Sequence, residues 1–96
     1  DVRNTKIVDV VRELRKFGAK VDVYDPWVDA DEAEHEYGLR PVKRLQRGRY
    51  DAVVMGVAHR QFAKLGVDGV RALGKKNHVL YDIKYVFNSD EVDGRL

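Results

Sequence analysis

The 96-residue chain contains no cysteine, two prolines, one tryptophan and one methionine. Without cysteine it forms no disulfide, offers no thiolate to a metal and has no cysteine nucleophile. Neither sign of charge dominates: 18 Lys and Arg stand against 16 Asp and Glu, interleaved along the chain, for a formal +2. Such a balance gives no broad basic field for a nucleic-acid backbone, so nucleic acid is not an expected partner. No apolar run approaches the roughly 18 residues that a membrane-crossing helix needs. The opening Asp1-Val2-Arg3-Asn4-Thr5-Lys6 does not read as a secretory leader. No Walker sequence and no G-x-G-x-x-G fingerprint occurs, and Gly66, Gly69 and Gly74 form no phosphate cradle. What is there is 44% hydrophobic residues with 35% charged, too apolar for a disordered chain. These bounds predict one small α/β domain over residues 1–96, in the cytoplasm and without a membrane partner.

Periodicity supplies the elements. Asn4 and Thr5 can cap a helix in which Ile7, Val8, Val10, Val11, Leu14 and Phe17 recur at helical spacing, with Gly18 as its stop. Val21–Tyr24 reads as a strand ended by Asp25-Pro26. Asp29 caps a short acidic helix over Ala30–Tyr37, stopped by Gly38. Leu39–Val42 suggests a brief strand interrupted by Pro41, and Val42–Gln46 a helical turn. Ala52–Val57 is a continuous apolar run, the pattern of a strand buried on both faces of a parallel sheet. Helices follow over Arg60–Lys64 and Val67–Leu73, then a last strand over His78–Ile83. Ser89–Leu96 is polar and is expected to fray. The alternation predicts a Rossmann-like three-layer sandwich with a mainly parallel sheet and right-handed crossovers. Because the chain opens on a helix, that sheet is expected to lack its first strand, as in a fragment of a larger protein.

In open α/β sheets ligands sit outside the carboxyl ends of the strands. This rule selects Asp25-Pro26-Trp27, Ala58-His59-Arg60 and Asp82-Ile83-Lys84, with the Asp1–Thr5 turn at the same edge. Arg3 and Lys84 are the anion-binding candidates there. The alternative is that both are solvated, or paired with Asp1 and Asp82. His59, at the predicted end of the buried strand, could be an acid-base group since histidine titrates near neutrality, but a lone histidine without an evident partner is more often a helix cap or a positioning hydrogen-bonder. His35 and His78 are too scattered to form a metal site with it. Glu32, Glu34 and Glu36 do not share one helix face and read as a solvated helix. Trp27 could stack on a base, though a packing role at the turn suits it better.

Four stretches in order make the chain recognisable. Asp1-Val2-Arg3-Asn4-Thr5-Lys6 with its Val-Val-Arg-Glu-Leu helix resembles the start of the C-terminal UDP-binding domain of the UDP-glucose/GDP-mannose dehydrogenase family. Val21–Val28 (VDVYDPWV) is similar to that domain's second strand and Tyr-Asp-Pro turn. Tyr50–Phe62 (YDAVVMGVAHRQF) resembles the subgroup acting on UDP-N-acetylhexosamines, the galactosamine and glucosamine 6-dehydrogenases, especially the galactosamine type. Val79–Val86 (VLYDIKYV) resembles the closing strand and its Asp-x-basic turn.

The resemblance implies a parent enzyme with an N-terminal NAD-binding domain, a long central dimerisation helix and this C-terminal domain. Such an enzyme is a homo-oligomer that oxidises the sugar C6 alcohol to a carboxylate in two NAD-dependent steps, through a thioester on a cysteine, and serves surface polysaccharide synthesis. By the same resemblance Arg3 and Lys84 face the nucleotide-sugar cleft and hold phosphate or uridine oxygens, while His59 shapes that edge. Lys84 stands where parts of the family carry arginine, which keeps the charge but not the bidentate fork. The catalytic cysteine and the cofactor fingerprint are absent from these residues. The expected partners are therefore a UDP-sugar and the rest of the parent, and the 96 residues alone are expected to be inactive. A second reading, from another class, is a non-catalytic α/β module for protein interaction or oligomerisation.

Overall fold

A computed structural model describes residues 5–95 of the chain. They divide into two compact units, Asp1–Leu45 and Gln46–Leu96, and each is described by itself.

The first unit is helical. Helix α1 spans Thr5–Lys16 and α2 spans Ala30–Tyr37. The apolar stripe of α1 places Val8 and Val11 in a core with Ala33 and Tyr37 of α2, bordered by Ile7, Val21, Val23, Val28 and Leu39. Burial of aliphatic side chains of this size contributes about 1.5–3 kcal/mol each. The local signals at α2 act as their chemistry requires. The Asp29 carboxylate accepts from the amides of Asp31 (2.9 Å) and Glu32 (3.0 Å), and Gly38 closes the helix in the left-handed region at φ 77°. The cap expected from Asn4 and the Thr5 side chain lies outside the described residues. Phe17, counted in the apolar stripe, instead falls beyond the last helical residue and is 87% exposed.

Val21–Tyr24 forms no strand among the described residues. The segment is non-helical, its Val23 carbonyl accepts once from the Val42 amide at 2.8 Å, and Val21 and Val23 pack on the helical core. A strand exists only as a pair, and the described part of this unit supplies no second one. Leu39–Val42 likewise forms no strand, and Val42–Gln46 contains a bend at Lys43–Arg44 rather than a helical turn.

The second unit carries the sheet. Strands β1 (Tyr50–Met55), β2 (Gly74–Asp82) and β3 (Gly94–Arg95) lie in the order β1-β2-β3, all parallel. The β1 to β2 crossover is helix α3, Arg60–Arg71. The sequence predicts two helices here, and the backbone is interrupted at Gly66 (φ 80°, ψ 163°). That φ is cheap only for glycine, so the break coincides with the one residue that tolerates it. Met55, Val70 and Leu80 form the buried centre, with Val53, Phe62, Val67, Val86, Phe87 and Val92 against it. The unit is thus α/β with a parallel sheet, as the alternation implies.

The tail differs from expectation. Instead of fraying, Ser89–Glu91 makes a turn of 3-10 helix and Gly94–Arg95 adds the third strand. The Asp93 carboxylate accepts from the Leu80 amide (2.8 Å) and from the Arg71 guanidinium (3.0 Å), which also donates to the Glu91 carbonyl (3.0 Å). A polar tail becomes ordered when its polar groups find fixed partners. Gly94 permits the approach: a Cβ there would meet the Tyr81 ring at 2.6 Å.

Candidate functional site

Parallel pairing brings the carboxyl ends of all three strands to one edge. Met55 pairs with Asp82, and Asp82 with Arg95. Past Met55 the chain reaches His59 and the start of α3; past Asp82 it reaches Lys84 and Tyr85. This is the edge at which open α/β sheets bind ligands.

Asp82 organises the edge. It is fully buried, and its two carboxylate oxygens accept from the amides of Val86 (3.1 Å) and Phe87 (2.9 Å). The Ile83 amide continues the ladder to the Met55 carbonyl at 3.1 Å. Asp82 therefore spends its acceptors on backbone and does not pair with Lys84, which removes the pairing half of the alternative raised for that lysine and leaves the solvated half standing. Lys84 is exposed and has no carboxylate partner among the described residues. The loop turns sharply at Tyr85, where φ is +57°, a conformation uncommon for a bulky side chain.

His59 is the N-cap of α3. Its Nδ1 accepts from the Gln61 amide at 3.1 Å, and its ring meets Phe62 edge-on at 6.5 Å. An Nδ1 that accepts places the proton of the neutral ring on Nε2. The basic lone pair is then engaged in the cap, so His59 positions the helix start rather than abstracting a proton. The structure brings His59 and Lys84 to one edge. Arg3 lies outside the described residues.

The remaining candidates serve packing. Trp27 meets Tyr24 edge-on at 6.2 Å. His78 fits into a structural network: its Nδ1 donates to the Lys75 carbonyl (2.7 Å), and its Nε2 accepts from Arg71 (3.2 Å). Glu34 and Asp31 both pair with Arg40, at 2.8 and 2.7 Å, on an exposed surface. Those two carboxylates hold the Arg40 guanidinium above its ordinary value. Among the described residues no three acidic or histidine side chains gather as a metal site, and no helix is long and apolar enough to cross a membrane.

Sequence reasoning missed Arg95. It occupies the end of β3 with its guanidinium carbon 3.8 Å from the centre of the Tyr85 ring. The available signal was Asp93-Gly94-Arg95 after apolar Val92, a short strand pattern set aside as polar tail.

The loop from β1 into α3 contains one glycine, Gly56, and none of the spacing that lets a pyrophosphate approach backbone amides. These residues do not fit a dinucleotide cofactor.

Comparison with known proteins identifies the family. Residues 1–89 match the model of the UDP-glucose/GDP-mannose dehydrogenase family, UDP binding domain. The whole chain is 50% identical to a UDP-N-acetyl-D-glucosamine 6-dehydrogenase of Salmonella typhi and 51% identical to one of Pseudomonas aeruginosa, covering 23% of each. Over 93 residues (97% of this chain, 22% of the relative) it is 32% identical to Protein CapL of Staphylococcus aureus. The chain thus spans under a quarter of the length of these relatives. No solved structure matches.

Proposed function

Because this chain belongs to the UDP-glucose/GDP-mannose dehydrogenase family, as its UDP-binding domain, we propose that it holds the nucleotide end of a UDP-N-acetylhexosamine. In this reading the larger protein is an NAD-dependent 6-dehydrogenase that converts the sugar C6 alcohol to a carboxylate for surface polysaccharide. The observation that carries the reading is the family match over residues 1–89, joined to a lysine that has no carboxylate partner among the described residues, at the carboxyl edge of a parallel sheet.

The chemistry asked of these residues is binding and orientation. Lys84 attracts the diphosphate as a point charge on a flexible stem. Asp82 fixes the loop that presents it, so little ordering remains to be done when ligand arrives. His59 ends the facing loop and holds the start of α3 in register. The family resemblance alone proposes Arg3 as a second cation for the nucleotide. Oxidation, the cysteine that carries it and the NAD site belong to other parts of the larger protein, as does its oligomer contact.

The test is titration of UDP into the chain by calorimetry. Saturable binding weakened about tenfold by Lys84→Ala or Arg3→Ala is expected, the size of one charge-assisted hydrogen bond. Absence of saturable binding would favour an interaction or oligomerisation module instead. The 96 residues alone are expected to produce no NADH from UDP-N-acetylhexosamine and NAD.

A further inference from the structure

The match to the family's binding domain ends at residue 89, yet the next six residues are built into the same edge. β3 continues the sheet so that Arg95 stands beside Asp82, in the row that also ends β1 at Met55. Its guanidinium lies over Tyr85 at 3.8 Å, next in the chain to Lys84. Tyr85 takes the sparsely populated φ of +57°, and non-glycine residues held there concentrate at functional sites. No carboxylate among the described residues pairs with Arg95.

Holding the tail does not require Arg95. That task falls to Asp93 on Leu80 and Arg71, to the Glu91 carbonyl on Arg71, and to Gly94 against Tyr81. An aromatic face orients a guanidinium without neutralising it. What remains is a half-buried planar cation with no carboxylate partner among the described residues, stacked on the residue that follows exposed Lys84. Guanidinium suits a diphosphate better than ammonium does, because its donors match two oxygens at once.

We propose that Arg95 is a further ligand-binding residue of this edge, taking phosphate oxygens of the nucleoside diphosphate together with Lys84. The tail then acts as a third wall of the nucleotide site, and Tyr85 as the plate that positions its cation. This inference rests on the UDP-binding reading above and assigns that site a residue.

The test is calorimetric titration of UDP and of inorganic pyrophosphate into the full chain and its Arg95→Gln and Arg95→Lys variants. Amide exchange at Leu80 reports whether the tail stays attached. The expected result is that Arg95→Gln weakens both ligands about tenfold or more, Arg95→Lys recovers part of the loss, and Leu80 exchange is unchanged. Unaltered affinity in Arg95→Gln overturns the assignment while leaving the nucleotide-binding reading in place. Weakened affinity accompanied by faster Leu80 exchange also overturns it, since Arg95 would then only fasten the tail. No binding of UDP by the unsubstituted chain overturns the nucleotide-binding reading, and this assignment with it.

Discussion

Replacing Asp82 by alanine probes the site through its foundation. The side chain is fully buried and accepts from two amides, Val86 at 3.1 Å and Phe87 at 2.9 Å. A buried donor left without a partner costs about 1–3 kcal/mol. Both bonds lie in a part-buried loop, where water offsets some of the loss, so the lower half of that range applies to each. Asp82→Ala should then destabilise the chain by about 2–4 kcal/mol, a large share of the roughly 5–15 kcal/mol available to a domain. Asp82→Asn keeps one accepting oxygen and should cost about half as much. Urea unfolding followed by circular dichroism reads the difference. With a slope of about 1–3 kcal/mol per molar, the midpoint for Asp82→Ala falls by about 0.7–4 M. Lys84→Ala should move it little, because Lys84 has no structural partner among the described residues. An Asp82→Ala midpoint equal to that of the unsubstituted chain would refute the reasoning. So would a Lys84→Ala loss as large as that of Asp82→Ala, which is what an Asp82–Lys84 ion pair requires.

Two further predictions concern pH. Burial, the charge of Asp25 and a hydrogen bond to it push the Tyr37 phenol up to about 12. Its contribution to stability is whole below the ordinary value of 10.0 and is lost as pH rises through about 12, since only the unfolded chain ionises readily between them. Tyr37→Phe should abolish that part of the alkaline decline in melting temperature; an unchanged decline in the variant would sink the assignment. The Arg71 guanidinium, then the Leu80 amide, hold the Asp93 carboxyl below its ordinary value of 3.8. Attachment of the tail is therefore present above that value and is lost as pH falls through the lowered one. Amide exchange at Leu80 in acid should accelerate only below the ordinary carboxylate range, and Asp93→Asn should remove the acid step. A step of the same size in Asp93→Asn would place its origin elsewhere.

The features that read correctly from sequence depend on neighbours a few residues apart. Asp29 and Gly38 bound α2 because a carboxylate can reach amides two and three residues on, and a glycine can adopt positive φ unaided. Gly66 divides α3 for the same local reason. The apolar run Ala52–Val57 made a parallel strand legible, and with it the edge that carries His59 and Lys84, but the strand ends at Met55, the one buried residue in it, and is not buried on both faces. Other features did not read correctly, among them the expected strand over Leu39–Val42 and helical turn over Val42–Gln46. Val21–Tyr24 has the composition of a strand, but a ladder needs a second strand and composition names none. The tail looked free because the value of Asp93, Gly94 and Arg95 lies in Leu80, Arg71, Tyr81 and Tyr85, ten to twenty-two residues away.

The amino-acid sequence by itself determined that these residues hold no thiol and no G-x-G-x-x-G spacing, where α2, β1 and the core of β2 lie, and membership in a nucleotide-sugar dehydrogenase family. Tertiary structure alone decided that Asp82 shapes a loop rather than neutralising Lys84, that His59 spends its lone pair on a helix cap, and that Arg95 reaches the same edge. The division follows from range. Caps, periodicity and backbone preferences act within one turn or strand and are written in adjacent letters. Which acceptor takes which donor, and which cation is left without a counter-charge, depends on residues that only folding makes neighbours.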